Sequence, residues 1–205
     1  MNVPFKFPDD LEPKFHTPEL EAFERGGYLK EEEFARSVSL GLFDYLRKSY
    51  SQGFTISLSS GADSSACTAL CGLMVRLAEE SIGLDAFKAK LSHIKKIQEA
   101  VNVEDISQEI IHTIYQGTEN SSKDTYDSAE QLAKSMGATF YSININGLVE
   151  NYTQLIEKEI NRELSWKTDD IPLQNIQARV RAPRVWLLTN LPHHLLLSTS
   201  NRSEV

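Results

Sequence analysis

Apolar residues fall into two periods along this chain, and the two alternate. Phe54, Ile56 and Leu58 are interleaved with Thr55 and Ser57, the period of a strand; from about Ser64 the spacing lengthens to that of a helix, with Ala66, Ala69, Leu70, Leu73, Met74 and Leu77 on one face. Residues 109–115, 139–145 and 194–198 read as three further strands. His112, inside the second, reads as a core or edge histidine. Helical spacing covers residues 30–52, with Phe34, Val38, Leu42, Tyr45 and Leu46 on one stripe and Gly53 as its stop. It returns over 124–136, closed by Gly137, and over 147–164, where Leu148, Tyr152, Leu155, Ile156 and Ile160 should face inward. A last helical run covers 173–189, and Pro183 should bend it or divide it in two, since an interior proline costs about 3 kcal/mol.

Two stretches fall outside this rhythm. Residues 81–108 are charged and mixed, with Leu91, Ile94 and Ile97 hinting at one short amphipathic helix, and read as an insertion. Residues 1–30 carry Pro4, Pro8, Pro13 and Pro18 and end on Gly26-Gly27, the composition of an extended arm or linker before a domain over 31–205. Strands alternating with helices imply a parallel sheet with right-handed crossovers, an α/β three-layer sandwich of Rossmann-like form. Ligands in such sheets sit beyond the carboxyl ends of the strands. The turns beginning at Ser59, Thr118 and Thr199 should therefore converge on one crevice.

Composition narrows the function. With 205 residues the chain is long enough for one domain with a real core, and a formal net charge of −8 argues against a general nucleic-acid surface. No run approaches the roughly 18 apolar residues of a membrane span and no signal peptide opens the chain, so a cytoplasmic protein is the expectation. Cys67 and Cys71 lie four apart on one helix face with no histidine nearby, which makes them small core residues rather than a metal site.

The chemistry concentrates where the first strand breaks into Ser59-Ser-Gly-Ala-Asp-Ser-Ser65. A strand, a turn of small residues and a helix N-terminus make an anion site, because the first helical amides lack backbone partners and the dipole adds partial positive charge. Asp63 repels phosphate, so its natural role is to hold a divalent cation against phosphate oxygens. The common G-x-x-x-x-G-K-[ST] phosphate loop is absent. The plainer reading is an ordinary strand-to-helix turn closed by Ser and Asp caps.

The loop resembles the S-G-G-x-D-S pyrophosphate loop of the N-type ATP pyrophosphatases, with Ser60 in place of the first glycine. If that position needs positive φ, serine costs roughly 1 kcal/mol or more. Taken with Asn175-Ile-Gln-Ala-Arg-Val-Arg181, the turn at 118–125, the strand Ser142-Ile-Asn-Ile-Asn146 and Leu196-Leu-Ser-Thr-Ser-Asn-Arg-Ser-Glu-Val205, it resembles NAD synthetase over roughly residues 30–205. Without the resemblance, Arg179 and Arg181 would read as solvated helix charges and Glu204 as a first-turn carboxylate.

The resemblance implies the adenine nucleotide α-hydrolase-like fold and a two-step amidation. The carboxylate of deamido-NAD attacks the α-phosphate of ATP, pyrophosphate leaves, and ammonia displaces AMP from the acyl adenylate. Carried over by position, Ser57, Leu58, Ser59, Ser60, Gly61, Ala62, Asp63 and Ser64 would hold the ATP phosphates, Ser59 being the family's catalytic-loop serine. Thr199 would contact ATP, Arg179 would face deamido-NAD, and Asp63 and Glu204 would ligate Mg²⁺. A homodimer is expected from the same resemblance. The proline-rich arm resembles the region after the glutaminase domain of the long, glutamine-dependent members. No glutaminase residues are present, so ammonia would arrive free or from a glutaminase domain or subunit. Family members continue past Glu204 through further nucleotide-site residues, which makes a partial synthetase domain the expectation. Another ligase of the same superfamily, and a module that binds nucleotide or dimerises without turnover, are the competing readings.

Overall fold

The computed structural model describes residues 4, 19–119 and 121–199. Most of the expected N-terminal arm and the whole 200–205 segment, with Glu204, lie outside the described residues. Four strands, β1 (Phe54–Ser57), β2 (Ile111–Gly117), β3 (Thr139–Asn144) and β4 (Leu195–Leu197), form one sheet in the order β3-β2-β1-β4. Every neighbouring pair is parallel, with Phe54 opposite Ile111 and Leu195, and His112 opposite Thr139. The helices are α1 (Leu29–Ser49), α2 (Ala62–Ile82), α3 (Leu84–Lys90), α4 (Val103–Ile110), α5 (Lys123–Ser135), α6 (Asn146–Ile160), α7 (Asp170–Arg179) and α8 (Arg181–Asn190). This is the α/β parallel-sheet architecture expected from the periodicity.

Phe54, Ile56, Ile110 and Ile111 pack with Leu46 of α1 and with Cys71, Met74 and Val75 of α2, all essentially inaccessible. Each such side chain contributes about 1.5–3 kcal/mol. Cys71 is a core residue, as expected, and Cys67 is half-buried against the core; burial pushes the Cys71 thiol up to about 12. His112 is buried in β2, where Tyr141 and His194 meet its ring.

Residues 81–108 are not peripheral. They hold the end of α2, α3, a short 3-10 turn (Lys95–Glu99) and most of α4, and Phe87, Leu91, Ile94, Ile97 and Ile106 belong to the main core. The charges that hid this lie on the outer faces of elements only one or two turns long. Helix α4 also claims Glu109 and Ile110, so β2 starts at Ile111 rather than at 109.

Other expectations change in detail. Helix α1 ends at Ser49 with Tyr50 in the left-handed region, φ 58°. Gly53 serves close approach instead of capping: a Cβ there would lie 2.5 Å from the Ile110 carbonyl oxygen and 2.7 Å from His194 Nε2. The 173–189 run divides into two helices at Val180, three residues before Pro183. The break places Pro183 in the first turn of α8, where its missing N–H removes no bond and its ring meets no preceding turn. Helix α6 buries none of its residues, and Tyr152, Leu155, Ile156 and Ile160, expected to face inward, are exposed.

Candidate functional site

β1 delivers the chain to the carboxyl edge of the sheet. The Leu58 N–H donates to the Ile114 carbonyl at 2.9 Å, carrying the pairing one residue past the strand. The Leu58 side chain is buried with Tyr115, Ala129 and Ala133, which fixes where the turn begins. Ser60 then takes φ 65°, the left-handed conformation that a glycine would adopt without strain. Its hydroxyl donates to the Thr125 carbonyl at 2.5 Å, tying the turn to the first turn of α5.

The loop closes on itself through hydroxyls. The Gly61 N–H donates to Ser59 Oγ at 3.3 Å, and the Ser59 N–H donates to Ser64 Oγ at 3.2 Å. Ser64 Oγ donates to the Gly61 carbonyl at 3.2 Å, which leaves Ser59 Oγ, 3.2 Å from Ser64 Oγ, as the donor between the two hydroxyls. Ser64 is buried, so this ring is fixed from below. Gly61, with φ −73° and ψ 160°, is the N-cap of α2 and offers no side-chain cap to the helix. The first amides of α2 are therefore left without a side-chain cap at the turn, the arrangement that takes an anion.

Two lobes open above this turn. One, about 400 Å³, lies towards α7, α8 and β4 and takes in Val185, Trp186, Leu197 and Thr199. The other, about 370 Å³, lies towards α5 and takes in Tyr115, Ser121, Ser122 and Thr125. Ser57, Ser59, Gln116 and Arg181 border both. The three turns thus converge as expected: Ser198 and Thr199 follow β4, and the Thr118 turn is held by a bond from the Thr118 N–H to Ser121 Oγ at 2.9 Å. A separate 450 Å³ cavity between α1 and α2 contains no loop residue.

The site residues named from sequence are distributed unevenly. Ser57, Ser59, Ser64 and Thr199 line the crevice, Leu58 and Gly61 shape its floor and cap, and Ser60 anchors the turn. Ala62 and Asp63 are exposed in the first turn of α2. Arg179 borders neither lobe; it is exposed, and its Nη1 donates to Asn175 Oδ1 of its own helix at 2.7 Å. Glu204 lies outside the described residues. Sequence reasoning missed Gln116 and set Arg181 aside as a helix charge. The available signal for Gln116 was a carboxamide closing the second strand immediately before Gly117.

A family model, NAD synthase, matches residues 34–205. The chain belongs to the NAD synthase family. It is 33% identical over 193 residues to the glutamine-dependent NAD(+) synthetase of Oryza sativa subsp. indica, covering 85% of this chain and 26% of that protein. Among solved structures it resembles a glutamine-dependent NAD(+) synthetase from Cytophaga hutchinsonii, with TM-score 0.76 and 48% identity, over 85% of this chain and 32% of that one. It also resembles the Acinetobacter baumannii glutamine-dependent NAD+ synthetase in complex with ADP, with TM-score 0.60 over 92% of this chain and 28% of that one. At 23% identity that second likeness bears on the fold alone. The chain thus spans about a quarter of the length of the curated relatives it matches. Its fold is that of the adenine nucleotide α-hydrolase-like family.

Proposed function

We propose that this chain carries the ATP-binding and adenylating part of an NAD synthetase, a ligase that converts deamido-NAD to NAD. The observation that supports it best is the turn after β1, where small residues lead into an uncapped helix N-terminus and Ser57, Ser59 and Ser64 line a crevice bordered by Arg181. A carboxylate oxygen of deamido-NAD attacks the α-phosphorus of ATP, the bond to the bridging oxygen breaks, and pyrophosphate leaves with the electron pair. Ammonia then attacks the acyl carbon, loses a proton, and AMP departs. No general base is needed to ionise the substrate carboxylate near neutral pH. Both partners of the first step are anionic, so the protein's work is to neutralise and orient. In this reading Ser57 to Ser64 hold the phosphates, with the Ser59 hydroxyl turned from Ser64 towards them, Thr199 closes over the nucleotide, and Arg179 meets deamido-NAD at the outer face of α7.

What supports a divalent cation at the turn is the Asp63 carboxylate, exposed in the first turn of α2 beside the loop. Asp63 and Glu204 would hold Mg²⁺, which screens phosphate charge when bound. Homodimerisation belongs to the same proposal and is supported by the exposed apolar side chains of α6. Ammonia arrives free or from a glutaminase domain, a reading supported by the long relatives' being named glutamine-dependent. The test is pyrophosphate release from ATP with and without deamido-NAD. Release that requires deamido-NAD supports the reading; release indifferent to it points to a different acceptor and refutes it.

A further inference from the structure

Gln116 is 7% exposed, and neither its Nε2 nor its Oε1 has a hydrogen-bond partner among the described residues. Leaving a buried polar atom unpaired is destabilising, so an amide with both ends free calls for a ligand. Arg181 is half-buried, and its Nε is buried without a partner among the described residues. No carboxylate is among the described residues lining either lobe, so the guanidinium has no counter-charge there. The two side chains stand together with Ser57 and Ser59 on the border between the lobes.

The donors at this border are cationic and amide N–H groups beside serine hydroxyls, a set that selects an anionic oxygen. The amide oxygen of Gln116 adds an acceptor, which no phosphate oxygen satisfies and which a neighbouring sugar hydroxyl does. Of the phosphates of a nucleotide, only the α-phosphate has a sugar beside it. One lobe is apolar enough, through Val185, Trp186 and Leu197, to take a base, while the other is lined by Tyr115, Ser121, Ser122 and Thr125.

We propose that Arg181 and Gln116 form the seat of the nucleotide's α-phosphate and its adjoining ribose, where the two lobes meet. The proposal rests on the nucleotide reading above and adds the residues that grip the reacting phosphoryl group. Arg181 neutralises charge that grows on the α-phosphate as the carboxylate attacks; Gln116 fixes the ribose and hence the line of attack.

The experiment titrates this chain calorimetrically with AMP, with Mg·ATP and with inorganic pyrophosphate, for the wild type, Arg181→Met, Arg181→Lys and Gln116→Leu. Expected are losses of at least about tenfold in AMP affinity for Arg181→Met and Gln116→Leu, partial retention in Arg181→Lys, and pyrophosphate affinity within about twofold of wild type. Gln116→Leu should melt at or above the wild-type temperature, because an unsatisfied buried amide is replaced by an apolar side chain of similar size. A merely structural glutamine would instead lower the melting temperature and leave AMP affinity unchanged. Unaltered AMP binding in the two variants overturns the assignment and leaves the nucleotide reading standing. Equal losses for AMP and pyrophosphate move the seat to the leaving group and refute the α-phosphate claim. A wild type that binds none of the three ligands removes the nucleotide reading and this proposal with it.

Discussion

Acidification should unfold this protein through two histidines before most of its carboxylates titrate. The His112 and His194 rings lie 4.3 Å apart between β2 and β4, both nearly inaccessible. His194 Nδ1 is 3.2 Å from Thr55 Oγ1, and the nearest charges are Glu109 and Lys96, themselves paired at 3.2 Å. Burial pushes His194 down to about 3, with the His112 ring and Lys96 acting in the same direction, and burial lowers His112 as well. A depressed folded pKa means that the unfolded chain takes up protons near pH 6.5 while the folded chain stays neutral. The stability is therefore present above pH 6.5 and is lost as pH falls towards about 3. For His194 alone, pH 7 to 4.5 should cost about 2 kcal/mol, after allowance for the water that still reaches the ring. Asp169 also lies low, held first by the Arg162 guanidinium and then by the Ser165 N–H and Thr168 hydroxyl, so it loses its contribution only below this window. The assay is urea unfolding at pH 7.0, 6.0, 5.0 and 4.5 for the wild type, His194→Gln and the His112→Gln/His194→Gln pair. The wild type should lose stability steadily, and the double variant should be nearly flat. A wild-type loss under about 0.5 kcal/mol, or the same slope in the double variant, refutes the reasoning.

Three further substitutions probe two positions where backbone geometry decides the residue. Ser60→Gly should change stability by less than about 1 kcal/mol, because relief of the strain at φ 65° offsets the lost bond to the Thr125 carbonyl. Ser60→Ala keeps the strain and loses the bond, so it should cost about 1 kcal/mol in thermal unfolding; equal stability of the two variants would contradict this account. Gly53→Ala should destabilise by about 3 kcal/mol in urea unfolding, since its Cβ would lie 2.5 Å from the backbone oxygen of Ile110, which cannot move without disturbing the start of β2.

Which residues form each element was largely legible from periodicity; which way each face points was not. In α2 the apolar face reads as Ala66, Ala69, Leu70, Leu73, Met74 and Leu77; of these only Met74 is buried, and the side turned to the core is Ser64, Thr68, Cys71, Gly72, Met74 and Val75. Small residues win because they let the helix lie close: a Cβ on Gly72 would come within 2.6 Å of Met136 Sδ, and the Thr68 hydroxyl is satisfied by donating to the Ser64 carbonyl at 2.9 Å. Leu77 turns towards α1 instead, across the cavity between the two helices. The same limit governs the site. The loop was legible because its chemistry is local: small residues, a strand before it and a helix after it suffice. Arg179 and Arg181 differ by two positions on one sequence pattern and so point to different sides; of the two, Arg181, at the start of α8, borders the crevice. The break at Val180 is enforced by Pro183, so the proline that looked like an interruption of the functional helix is what starts α8 at Arg181.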